Sequence, residues 1–138
     1  MSTAYKTNIN LANMDFALLI FRIGIGVLMF SHGFPKFLNF FTAEEIKFAD
    51  PVGLGEQITF ALAVFAEFVC AIFVILGFLT RFAAIPVILT MAVAVFIVHI
   101  EDPFSKQELP LLYLVCFTVI AMTGPGKYSL DYLLQNKK

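Results

Sequence analysis

Four apolar runs dominate the sequence, and each is long enough to cross a lipid bilayer. An α-helix rises 1.5 Å per residue, so about 20 residues span a hydrocarbon core of about 30 Å. The sequence therefore predicts an all-α, membrane-embedded four-helix bundle that runs up-down-up-down, as a single transmembrane domain over residues 1–138. The four expected helices cover residues 15–38, 57–79, 82–100 and 106–123.

Composition excludes several classes of function. The chain is 60% hydrophobic and 14% charged, with a mean hydropathy of +0.90, whereas soluble domains carry about 25% charged residues. The connections between the apolar runs are too short for a soluble catalytic module, so any chemistry must occur within the bundle or on a partner. A net charge of −1 offers no basic surface for phosphates, which excludes nucleic-acid binding.

The segments between the runs define the expected boundaries. The run that begins at Phe16 is longer than the apolar part of a signal peptide and lacks its cleavage site, so it is expected to be a retained helix. Residues 42–56 are expected to form a loop with a short amphipathic piece at the membrane interface. Thr80-Arg81 allows only a tight hairpin between helices two and three. Residues 127–138 are expected to form a short polar tail.

The basic residues predict the orientation in the membrane. Four spans place both termini on one side, and cytoplasmic loops of membrane proteins carry an excess of lysine and arginine. Five such residues share the side of the termini and three the other. The sequence thus predicts a multi-pass protein of the bacterial inner membrane with cytoplasmic termini. The two sets are Lys6, Arg81, Lys127, Lys137 and Lys138 against Lys36, Lys47 and Lys106.

Two charged residues lie deep within the apolar runs, Arg22 in helix one and Glu67 in helix two. A charge at the centre of a bilayer costs about 3 kcal/mol even on insertion scales, so such residues face the bundle interior and pair. We expect Arg22 and Glu67 to pair with each other. This pair either locks two helices together, or leaves Glu67 lining a polar cavity where it handles a proton or a ligand group.

One face of helix one carries small and polar residues at helical spacing. Its glycines let a neighbouring backbone approach closely, as in other small-residue packing faces. His32 lies at the edge of this stripe. The stripe consists of Arg22, Gly26, Met29, Gly33 and Lys36.

Four polar side chains are expected to converge at the outer mouth of the bundle. His32 and Lys36 lie at the outer end of helix one, His99 ends helix three, and Glu108 begins helix four. We expect the working pocket to lie between Glu67 and this mouth. No local histidine spacing typical of a metal site is present, so no metal is expected.

The polar motifs occur in an order that resembles the DoxX family. They are Leu19–Gly26, His32–Lys36, Gly77–Arg81 and Gly124–Asp131, together with Glu67. The resemblance covers about residues 17–134. It implies a small four-helix membrane protein with a redox-associated role, because some relatives are subunits of thiosulfate:quinone oxidoreductase and others accompany thiol or oxidative-stress enzymes.

The resemblance also carries over a set of polar positions. Arg81 and Asp131 are expected to have a structural role on the cytoplasmic face. Cys70 and Cys116 lie in apolar runs and form no CxxC pair, which argues against disulfide exchange by this chain. The positions carried over are Arg22, His32, Lys36, Glu67, Arg81, His99, Glu108 and Asp131.

Three functions fit these observations. The first is a membrane subunit that binds a quinone or similar flat hydrophobic molecule and works with a partner oxidoreductase. The second is a non-catalytic assembly or scaffold protein. The third is a small-solute or proton-coupled transporter that uses Glu67, which would require a homo-oligomer because one four-helix bundle seldom encloses an alternating-access path.

Overall fold

A computed structural model describes residues 8–137. The part of the chain it describes is helical, and its first four helices are each long and apolar enough to cross a membrane. This confirms the predicted fold class. The helices are α1 (Leu11–Thr42), α2 (Glu56–Leu76), α3 (Thr80–Val98), α4 (Phe104–Thr123) and the short α5 (Leu130–Gln135).

Consecutive helices are neighbours in the bundle. Helix α1 packs on α2, α2 also packs on α3, and α3 packs extensively on α4, whereas α1 and α4 make only a small contact. We call the end of the bundle where α1 begins and α4 ends the terminal face. The opposite end, with residues 43–55 and 99–103, is the loop face. The core between them is built from small and bulky apolar side chains, including Met29, Val74, Val87, Phe117 and Ile120.

Helix α1 extends beyond both of its predicted ends. It begins at Leu11 because the Asn10 side chain accepts hydrogen bonds from the amides of Ala12 (3.1 Å) and Asn13 (3.3 Å), an N-cap arrangement. It continues past Pro35 to Thr42. Its 32 residues span about 48 Å at helical rise, so the helix is longer than the hydrocarbon core of a bilayer.

Four of the five residues of the α1 stripe are buried, and the fifth, Lys36, is partly exposed. At Gly33 the backbones of α1 and α2 touch, because a β-carbon there would overlap the backbone carbonyl of Glu67. One residue further along α2, Phe68 stacks on Phe37, with ring centroids 4.1 Å apart and planes 7° apart. These contacts fix the register of the two helices next to Glu67.

The turn between α2 and α3 has a left-handed backbone. Gly77 adopts φ +69° and Leu79 φ +47°, a conformation that costs a non-glycine residue about 1–2 kcal/mol. The Asp131 carboxylate accepts hydrogen bonds from the amides of Leu79 (2.8 Å) and Thr80 (3.0 Å), and from the Thr80 hydroxyl (2.9 Å). A residue near the end of the chain thus holds this turn.

Two segments differ from their predicted structure. Residues 43–55 contain no helix; Asp50 organises them instead by accepting hydrogen bonds from Leu54, Gly55 and Thr59. The bond from the Gly55 amide is the main reason that the pKa of Asp50 lies below 3.8. The expected polar tail contains α5, which begins where the Ser129 hydroxyl accepts from the Tyr132 amide at 3.2 Å.

Substitution at Gly33 tests the close approach of α1 and α2. Gly33→Ala should lower the free energy of unfolding by about 1–3 kcal/mol, because its β-carbon meets backbone that has little room to move. Gly24→Ala is the matched control on the same helix, since nothing lies within 4 Å of its β-carbon position. It should be neutral or slightly stabilising, because alanine favours helix more than glycine. Equal melting curves for both variants in detergent would contradict the packing.

Candidate functional site

A pocket of about 250 Å³ lies among all four long helices near the loop face. We call it the loop-face pocket. Its wall combines apolar side chains with five polar ones, which is the usual make-up of a small-molecule site. The lining residues are Met29, His32, Lys36, Glu67, Met91, Ala94, His99, Leu109, Pro110 and Tyr113.

An ion pair between Lys36 and the buried Glu67 lines this pocket. The Lys36 ammonium Nζ lies 2.6 Å from Oε2 of Glu67. The Glu67 side chain is 5% exposed and that of Lys36 33%, so the carboxylate depends on the lysine for charge compensation. Lys36 Nζ also lies 5.7 Å from the ring centroid of Phe48, which belongs to the 43–55 loop.

The predicted Arg22–Glu67 pair is wrong. Arg22 packs beside Gly77, ten residues from Glu67 along α2, which is about 15 Å at helical rise. Its Nη2 donates instead to the Tyr128 carbonyl oxygen at 2.7 Å. The stripe of α1 presents Lys36, rather than Arg22, at the level of Glu67.

Two π-helical turns deliver side chains to the pocket. Glu67 lies within the turn Phe65–Cys70 of α2, and the turn Ala94–Val98 ends α3 directly before His99. A π-helical turn interrupts the regular α-helical spacing, and such turns are frequent at functional sites. Both interruptions border the same pocket, since Glu67, Ala94 and His99 all line it.

His99 is held in place at the loop face. Its Nδ1 lies 2.6 Å from Oδ2 of Asp102, and this hydrogen bond is the main cause of the lowered pKa of Asp102. The Gln107 side-chain amide donates to the His99 carbonyl oxygen at 2.7 Å and to that of Asp102 at 3.1 Å. Because Asp102 occupies Nδ1, the ring has Nε2 left for another partner.

Tyr113 of α4 is a pocket residue that sequence reasoning missed. Its ring is 4% exposed and contacts the His32 ring edge-on, with centroids 5.7 Å apart and planes 85° apart. The hydroxyl takes part neither in the Lys36–Glu67 pair nor in the His99–Asp102 hydrogen bond. It therefore adds a donor to the pocket. The available signal was a phenol in the middle of an otherwise apolar helix.

The structure brings together four of the six candidates for the pocket, namely His32, Lys36, Glu67 and His99. Arg22 lies towards the terminal face, as described above. Glu108 is exposed and does not line the pocket, although its neighbours Leu109 and Pro110 do. Successive helical residues point about 100° apart, so Glu108 turns away from the bundle.

Arg81 and Asp131 lie at the terminal face. Asp131 holds the α2–α3 turn, which agrees with a structural role. The Arg81 guanidinium lies over Gly124, with Nε 3.1 Å from the position that a β-carbon would occupy there. Cys70 and Cys116 are free thiols. Within residues 8–137, no three histidine, cysteine or acidic side chains are grouped to hold a metal ion.

Comparison with known proteins identifies the family. The DoxX family model matches residues 17–100, more than half of the chain. The chain belongs to the DoxX family. Like other DoxX proteins, it is therefore a membrane protein, and the family match covers most of α1 and all of α2 and α3, with Lys36, Glu67 and His99.

The relatives of this DoxX protein are bacterial. An uncharacterized protein of Haemophilus influenzae is 32% identical, covering 83% of this chain and 87% of the relative. A protein of Bacillus subtilis named as a candidate oxidoreductase, CatD, is 27% identical, covering 91% of this chain and 93% of the relative. An uncharacterized membrane protein of Mycobacterium tuberculosis, Rv3486, is 26% identical, covering 88% of this chain and 83% of the relative. No solved structure matches the chain.

Asymmetric substitutions test the ion pair. Lys36→Met should lower the free energy of unfolding by about 3 kcal/mol, because it leaves the buried Glu67 carboxylate unpaired. Glu67→Gln should cost only about 1 kcal/mol, since the partly exposed lysine can turn towards water. The double variant Lys36→Met/Glu67→Leu should be more stable than Lys36→Met alone.

The control for this comparison is Lys47→Met, which removes a lysine from the exposed pair with Glu45 and should change stability by less than about 0.5 kcal/mol. Unfolding by titration with SDS in mixed micelles measures the four variants and the wild type. If Lys36→Met proved no less stable than Lys47→Met, the pair would not hold the bundle.

Proposed function

We propose that this DoxX protein is a redox-associated membrane subunit that binds the head of a quinone, or of a similar flat hydrophobic molecule, in the loop-face pocket and works with a partner oxidoreductase. The observation that carries the proposal is the combination of the Lys36–Glu67 pair with the Tyr113 side chain in a pocket whose other wall residues are mostly apolar. A purely structural ion pair would need no pocket beside it.

The size and lining of the pocket favour a small ring over a large ligand. Sites for drug-sized molecules occupy about 300–1,000 Å³, whereas this pocket has about 250 Å³. It is therefore suited to a head group, with any hydrocarbon tail left among the helices or lipids. Met29 and Met91 line opposite helices of the wall, and thioethers make favourable contacts with flat rings.

The polar side chains suit the oxygens of such a ring. Lys36 has donors beyond the one that Glu67 uses, and the Tyr113 hydroxyl donates to a carbonyl acceptor. Glu67 accepts a hydrogen bond from the lysine and holds its ammonium group at the pocket wall. When bound, a quinone supplies the electron-accepting chemistry, in which two electrons come from the partner enzyme and two protons from the surroundings. His99, near the loop-face surface, is the side chain best placed to exchange a proton with water.

The family supports a redox association. One relative is named as a candidate oxidoreductase, and we extend that association to this chain as part of the proposal. The described residues form a helical bundle with short connections, so the proposal assigns electron transfer to an oxidoreductase partner.

We also propose that the protein resides in a bacterial inner membrane with its terminal face towards the cytoplasm. The relatives are bacterial. In the sequence, five lysines and arginines lie before α1, at the α2–α3 hairpin or after α4, against three on the other side, and cytoplasmic segments carry the excess of such residues. Cysteines introduced at positions 50 and 135 should then react with an impermeant reagent from opposite sides. Labelling of both from one side would overturn the orientation.

Titration of a short-chain quinone into the purified protein tests the function. Binding should be saturable, and Tyr113→Phe should weaken it by about 3- to 10-fold, the effect of one lost hydrogen bond. Tyr132→Phe makes the same change on the terminal face and should leave the affinity unaltered. Calorimetry suits the measurement because the chain has no tryptophan. Absence of saturable binding, or an effect of Tyr132 rather than Tyr113, would contradict the proposal.

A further inference from the structure

A second cavity, of about 570 Å³, opens at the terminal face. We call it the terminal-face cavity. It lies at the junction of three segments: the start of α1, the start of α3 and the chain from Pro125 to Gln135. The side chains that matter for its chemistry are Asp15, Arg81, Lys127 and Asp131. The function proposed above makes no use of this cavity.

The acids of the cavity are already engaged with the protein. Asp131 accepts three hydrogen bonds from Leu79 and Thr80, and Asp15 accepts one from the Lys127 amide at 3.1 Å. The amides of Leu79 and Thr80, at the start of α3, are therefore occupied by Asp131. An anion in the cavity would have to be held by side chains rather than by a helix end.

The cations, in contrast, retain unused donors. Arg81 and Lys127 form no ion pair with another residue in the described part of the chain. Arg22 lies directly beneath this region, 3% exposed, and bonds to the Tyr128 carbonyl oxygen. Its Nε and Nη1 find no partner within residues 8–137. The cavity wall carries two cations and two carboxylates, and the buried Arg22 behind it adds a further positive charge.

Helix α5 indicates the depth of the cavity in the membrane. Tyr132 and Gln135 of α5 line the cavity, whereas Leu133 and Leu134 are 56% and 52% exposed. A short helix that exposes leucines beside a transmembrane bundle is suited to the boundary between head groups and acyl chains. Tyrosine and lysine are also common at this level. The cavity therefore lies where lipid phosphates are found.

We propose that the terminal-face cavity binds a phosphate group, with Arg81 as its main ligand and Lys127 as a second cation. Arginine presents a planar fork of donors that matches phosphate oxygens. Gly124 makes room for this fork, because a β-carbon there would crowd the guanidinium. An anionic lipid such as phosphatidylglycerol and free inorganic phosphate share this chemistry.

Native mass spectrometry of the full chain, released from nanodiscs of mixed phosphatidylglycerol and phosphatidylcholine, tests the site. The wild type should retain phosphatidylglycerol in preference to phosphatidylcholine, and Arg81→Gln should reduce the retained fraction about tenfold, as expected for a lost charge-assisted contact. Lys127→Gln should give a smaller reduction in the same direction. Lys47→Gln, a lysine of the loop face, should behave as the wild type.

A second arm separates the two sources of phosphate. Inorganic phosphate is titrated into delipidated protein, and its binding is compared between the wild type and Arg81→Gln. If the wild type binds inorganic phosphate but retains no lipid, and Arg81→Gln loses the phosphate binding, the site is supported with a soluble anion as its ligand. Retained lipid that is lost in Arg81→Gln supports a lipid source.

Folding is checked by the melting temperature of each variant. If Arg81→Gln does not fold, Lys127→Gln decides the outcome, because its backbone hydrogen bond to Asp15 is unchanged. The proposal would be overturned if lipid retention and phosphate binding were the same in the wild type, in Lys127→Gln and in a folded Arg81→Gln.

Discussion

The Lys36–Glu67 ion pair is the interaction on which the rest of the structure depends. An isolated carboxylate cannot remain charged in hydrocarbon without a partner, and removing one member of a buried pair is strongly destabilising. The pair requires α1 and α2 to lie close together, which Gly33 permits because it has no side chain. The 2.6 Å contact thereby sets the register of two transmembrane helices and places fixed charges beside the loop-face pocket.

The opposite end of the bundle is held by a different set of contacts. Arg22 bonds to the backbone at Tyr128, and Asp131 secures the left-handed turn at Leu79. The motif that follows Gly124 thus joins α1, α2 and α3 at the terminal face. One polar cluster closes each end of an otherwise apolar bundle. The loop-face cluster centres on an ion pair between side chains, whereas the terminal-face cluster consists mainly of hydrogen bonds between side chains and backbone.

Much of the fold was predictable because membrane solvation imposes strong constraints on sequence. Hydropathy and length predicted four spans, and glycine spacing predicted the buried stripe of α1. The partner of Glu67 was not predictable in the same way. Hydropathy and length do not fix which polar residues of two neighbouring helices lie at the same level. Tyr113 escaped notice because a tyrosine in an apolar run gives no charge signal. The π-helical turns depend on tertiary packing, which single-sequence periodicity does not report.

We propose that the loop-face pocket binds a flat hydrophobic molecule. Photoaffinity labelling with an azido-quinone, followed by peptide mapping, tests it most directly because it reports where the ligand lies rather than whether it binds. We expect labelled residues on α1 and α4 around Met29, Lys36 and Tyr113. An excess of unlabelled quinone should prevent this labelling. Labelling confined to the terminal face around Arg81 and Tyr132, or spread evenly over lipid-facing residues without protection, would contradict it.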